Sequence, residues 1–229
     1  MQWYHYLLLI IALLLVVLII VFYFVRKHDA IKIFKRTIWK KLYRLAQAKD
    51  FYLLNKVLVN TELDTLHIDH LLVGDKYIYV VSSRYYESNV SGDSYVSPKW
   101  EVVSKEGKVI REITNPVIYN EKRTICLAKF LGWNKQKSPM FISLVVINNP
   151  VECSIKNTAI SPYSFIVHRN ELTKQIKKIE KESKFAPFDE TSLQKIINRI
   201  HRLSVEEKKH EEALLASKKE EKLKGKEAK

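Results

Sequence analysis

Two cysteines, Cys126 and Cys153, are all that the 229-residue chain contains, and neither stands in a CxxC or a Cys/His spacing. That excludes a zinc finger or zinc ribbon. Both cysteines read as small buried apolar side chains, consistent with a reducing compartment. The first 25 residues hold no Lys, Arg, Asp or Glu. No basic residue precedes the apolar run within them and no small-x-small site follows it, which excludes a cleaved secretory signal. Internal repeats are missing as well.

What is present is apolar at one end and basic elsewhere. Leu7 to Val25 reads LLLIIALLLVVLIIVFYFV, a helical length of roughly 28 Å that matches a bilayer core. Trp3, Tyr4 and Tyr6 flank it on one side and Phe22, Tyr23 and Phe24 on the other, the places where aromatic rings favour a membrane interface. From Arg26 to Lys49 nine Lys or Arg face the single acid Asp29. The expectation is therefore a single-pass anchor over 7–25, with the N-terminus outside and the globular domain cytoplasmic. Anionic lipid is the expected contact of the cluster at 26–44. The formal net charge of +14 calls for an anionic partner, nucleic acid or acidic lipid, and a protein partner stays open beside them. Twelve Tyr and nine Phe spread along the chain argue that the remainder folds.

The spacing of Ile31, Phe34, Ile38, Leu42 and Leu45 predicts an amphipathic helix from about 30 to 48. Strands are predicted at 51–59, 66–73 and 77–83, the last two joined by Gly74-Asp75-Lys76. A hairpin over 99–104 and 108–113 turns at Glu106-Gly107. Asn115-Pro116 opens a helix that runs to Leu131 and ends at Gly132. Phe141 to Ile147 is a strand covered on both faces, and a short strand at 164–167 leads into a helix over 170–182. Another helix follows at 191–203. The domain plan is a tip and anchor over 1–28, a globular domain over 29–183, a C-terminal helix over 184–204, and a charged tail over 205–229 that is solvated helix or disorder.

One ordered set of residues resembles a known family. Ile68-Asp69-His70 is followed by a strand ending in Ser82-Ser83-Arg84-Tyr85-Tyr86, then Val90-Ser91-Gly92, Trp100, and the Asn115-Pro116 helix. This is similar to the nuclease-related domain (NERD) of the PD-(D/E)xK nuclease-like superfamily, over about residues 30–150. In that family I-D-H precedes a strand ending in E-x-K, then N-Y, a glycine, a tryptophan and an N-P-x-x-Q-N helix. The resemblance implies an α/β fold with a restriction-endonuclease-like αβββαβ core and C-terminal helices. It also implies a site in which an Asp and a Glu hold Mg²⁺ while the Lys addresses the same phosphate.

Laid on this chain, the motif is degenerate. Asp69 matches the family Asp, Ser82 stands in the Glu position, and Arg84 in the Lys position. Lys35 best matches a Glu of the first helix, Tyr119 replaces the Gln of the N-P helix, and Asn120 matches its Asn. Serine removes a charge that a hard cation needs, and a guanidinium stays protonated at any working pH. The expected catalytic positions are thus Asp69, Ser82, Arg84 and Lys35, the binding residues Arg84, Tyr86 and Asn120, and no metal is expected, with Asp69 the ligand if there is one. Glu87 and Glu121 are the carboxylates able to replace the missing one. Tyr85 and Tyr86 are candidates to stack on bases. His70 is expected to pack beneath the sheet on the side opposite Asp69 and His67. The chain reads as an inactive nuclease-related module binding nucleic acid or protein at the membrane face. The alternatives are an active Mg-dependent nuclease with a rearranged site and a structural protein of the membrane surface.

Overall fold

A computed structural model describes residues 3–60, 65–92, 97–133, 140–149, 151–155 and 163–201. The chain opens with one unbroken helix, α1 (Trp3–Lys49). Three strands follow: β1 (Tyr52–Asn60), β2 (Thr65–Val73) and β3 (Ile78–Arg84). Then come β4 (Asn89–Gly92), β5 (Lys99–Val103), β6 (Val109–Thr114), α2 (Pro116–Phe130) and β7 (Phe141–Ile147). The described chain closes with β8 (Cys153–Ile155), β9 (Ser164–His168), α3 (Leu172–Glu182) and a helix over 190–201, here α4. The charged tail lies outside the described residues.

The strands form two sheets, not one. The larger has the order β1-β2-β3-β7-β9, with β1, β2 and β3 antiparallel and β3, β7 and β9 parallel. The smaller has the order β6-β5-β4-β8. The expected hairpin at 99–113 is present as β5 and β6, but it belongs to this second sheet. Its partners β4 and β8 are four and three residues long, too short to leave a periodic signal.

Phe34, Ile38, Leu42 and Leu45 place the second half of α1 on one face of the large sheet, against Tyr79, Val81, Leu144 and Val146, with Leu172 and Ile176 of α3 beside them. Leu127 of α2 and Ile196 and Ile200 of α4 cover the other face over Ile68, Leu71, Ile78 and Val80. β3 and β7 are therefore buried on both sides, which is why their sequences are apolar runs without alternation. Trp100, fully buried, centres a third cluster that joins the small sheet to Tyr86 and Val145.

The helix expected over 7–25 and that expected over 30–48 are a single element. The chain stays helical through Arg26 and Lys27, where a stop was expected. Among the described residues, no helix is long and apolar enough to cross a membrane. On that finding the transmembrane anchor is corrected, and with it the outside N-terminus and cytoplasmic placement. The apolar run is no separate span but the opening of a longer helix whose later half is basic on one side and packed on the sheet.

Candidate functional site

The site forms where β2 and β3 part. Their ladder runs from Val73↔Ile78 to His70↔Val81. One residue further on, the Asp69 carboxylate takes over: its Oδ2 accepts the backbone N–H of Ser83 at 2.8 Å. On its other side β2 faces β1, where Asn55 pairs with His70 and Val57 with Ile68. Lys56, across from Asp69, has φ +53, a left-handed backbone that costs a non-glycine residue on the order of 1 kcal/mol.

That backbone resets the alternation of side chains. Leu54 and Val57, and likewise Leu71 and Ile68, sit on the same face although three residues apart. Strict alternation would require two. The consequence is that Asp69 and His70, expected on opposite faces, line one cleft of about 330 Å³ together with Lys35, Trp39 and Lys56. His70 is buried, its Nδ1 proton donated to Asn55 Oδ1. Burial lowers its pKa to about 4; Asp69 raises it and Lys35 lowers it further. The ring is neutral at physiological pH.

Lys35 also lines a second cleft of about 570 Å³ at the end of β3, with Ser83, Arg84, Tyr86 and Tyr119. α1 supplies Lys35 from one side and the start of α2 supplies Tyr119 from the other. α2 begins there because Asn115 caps it, its side-chain oxygen accepting from Val117 N at 2.9 Å and Ile118 N at 3.4 Å with Pro116 at the first turn. Arg84 Nε is buried with no hydrogen-bond partner among the described residues, and its guanidinium carbon lies 5.9 Å from the Tyr119 ring centre. Burial pushes the Tyr86 phenol up to about 12, against the opposing effect of Arg84.

The expected site residues are thus divided. Lys35, Asp69 and Arg84 border the two adjoining clefts, and Lys35 is common to both. Ser82 is fully buried in β3, its Oγ without a partner among the described residues. Asn120 is buried as well, and its Nδ2 is spent on Val80 O at 2.9 Å, Ser143 Oγ at 2.8 Å and Leu144 O at 3.3 Å. Glu87 and Glu121 border neither cleft.

A magnesium ion would need several oxygen ligands, with carboxylates supplying the charge. The residues present do not fit it. Among the described residues Asp69 is the one carboxylate lining these clefts, one of its oxygens is engaged by Ser83 N–H, and Lys35, Arg36 and Lys56 share its cleft. Among the described residues no three His, Cys, Asp or Glu side chains gather as a metal-binding group. Cys153 offers no alternative nucleophile, because burial pushes its thiol up to about 11.

Three residues of the site escape sequence reasoning. Asn148 clamps Tyr86 by both backbone groups, accepting from Tyr86 N at 2.7 Å and donating to Tyr86 O at 2.8 Å. Lys56 is a second, for its left-handed backbone. Arg123 of α2 is the third, buried with its guanidinium carbon 4.2 Å from the Tyr119 ring centre. Nothing in the sequence around Asn148 points across to β3.

A crystal structure of AF1548, a protein of unknown function, is similar at 13% identity, covering 77% of this chain and 96% of that one, with a TM-score of 0.38. No curated protein matches. The model of the nuclease-related domain family matches residues 34–148, the span that runs from the packed half of α1 through Asp69 and β3 to the Asn148 clamp. The chain belongs to the nuclease-related domain (NERD) family.

Proposed function

We propose that this nuclease-related domain is a non-catalytic module that binds nucleic acid through the two clefts at the parting of β2 and β3. The observation that carries the reading is the charge of the site. Where phosphodiester hydrolysis by a metal needs clustered carboxylates, this site has Asp69 tied to a backbone amide, a buried serine, and the cations Lys35, Lys56 and Arg84. Such a set is poor in the negative charge that captures magnesium and well supplied with donors for phosphate oxygens. Arg84, which lines the larger cleft, binds the phosphate, and Lys35 adds a second charge from α1.

The test is incubation of the full-length chain with plasmid and with RNA, in Mg²⁺ and in Mn²⁺, beside Asp69→Ala. No cleavage above the Asp69→Ala background is expected. Salt-sensitive binding of the same nucleic acids, weakened in Arg84→Ala, is expected alongside. Cleavage that vanishes in Asp69→Ala would overturn the reading.

A further inference from the structure

Tyr119 is set at the mouth of the larger cleft in a way that a surface tyrosine does not require. Its side chain is 42% exposed, yet the ring is braced from within the protein. The brace is Arg123, 7% exposed, whose guanidinium carbon stands 4.2 Å from the ring centre and whose Nε has no hydrogen-bond partner among the described residues. A guanidinium is costly to bury, and spending it against an aromatic face holds that ring in one orientation. Arg84 lies farther off, at 5.9 Å from the ring centre, with its own Nε unpartnered. The cleft these groups border, at about 570 Å³, has the size of a small-ligand pocket, roughly 300–1,000 Å³.

A fixed, partly exposed ring that lines one cleft with the cations Arg84 and Lys35 suits one nucleotide. The ring meets the flat face of a base, and Arg84 and Lys35 meet its phosphate. A base inside a duplex is stacked on both faces and has none to offer unless it is flipped out. Stacking is also indifferent to which base is presented.

Resting on the reading of the domain as a nucleic-acid-binding module, we propose that its ligand is single-stranded nucleic acid, with an unpaired base stacked on Tyr119 and the adjoining phosphate held by Arg84 and Lys35. Arg123 is a positioning residue that acts through Tyr119. The experiment measures binding of the full-length chain, without divalent metal, to a short DNA oligonucleotide, to its RNA counterpart, to the duplex of the same sequence, and to a strand of equal length made abasic. The single strands are expected to bind at least about tenfold tighter than the duplex and the abasic strand, the size of one stacking contact. Tyr119→Ala is expected to lose about that factor on single strands, and Tyr119→Trp to keep the affinity. The DNA and RNA arms show which backbone is preferred.

Equal binding of the abasic strand and the intact one would overturn the stacking site without calling on any variant of the protein. If Arg84→Ala then weakened both alike, nucleic-acid binding as such would stand. Absence of binding to every oligonucleotide would overturn the stacking site and the wider reading together.

Discussion

Asp69 holds two strands together at the point where their ladder ends. Its carboxylate stands in for a backbone carbonyl toward Ser83 N–H, and leaving that amide without a partner costs about 1–3 kcal/mol. Asp69→Ala is therefore expected to lower the unfolding free energy by about that amount, read by chemical denaturation; an unchanged midpoint would refute the strand-end role. His70, one residue on, stays neutral to a lower pH than a surface histidine does. Burial holds its folded pKa near 4 against an ordinary 6.5, so between these values the unfolded chain binds more protons and stability falls as pH is lowered. The loss begins below about pH 6.5, is complete near pH 4, and reaches at most about 3 kcal/mol. Unfolding followed from pH 7 to pH 4 is expected to show this slope, and His70→Gln to flatten it.

Among the elements, β7 and the start of α2 were the most legible and the pairing that completes the small sheet the least. Phe141–Ile147 and the Asn115-Pro116 helix start were readable because an apolar run and a cap are local signals. The pairing of β4 with β8, distant in sequence and three or four residues long, leaves no such signal. One glycine marks it nevertheless. A Cβ at Gly92 would be driven into the indole of Trp100, a fully buried ring that cannot swing aside. Gly92→Ala is expected to cost about 1–3 kcal/mol through overpacking; a thermal melt no lower than that of the wild type would show that the small sheet yields at that contact. Lys56 is the opposite case. Lysine carries no preference for a left-handed backbone, so the reversal of alternation that brings His70 beside Asp69 could not be foreseen from residue types.

Over the whole molecule, the charge of +14 acts on any polyanion at a distance, while Lys35 and Arg84 act at contact. The two are separable by salt. Log affinity for an oligonucleotide is expected to fall linearly with log salt, and Arg84→Ala and Lys35→Ala each to reduce that slope by roughly 0.7–1. Variants that weaken binding without altering the slope would place the phosphate contacts elsewhere.

The family, the α/β class and the order of most elements were legible from the chain, because each rests on residue identity or on short-range periodicity. The division of the strands into two sheets, the joining of the two expected N-terminal helices into one, and the meeting of Lys35, Asp69 and His70 around one cleft came from packing between segments far apart in the chain. Contacts of that kind depend on how faces of opposite elements fit together, and no local pattern of residues encodes them.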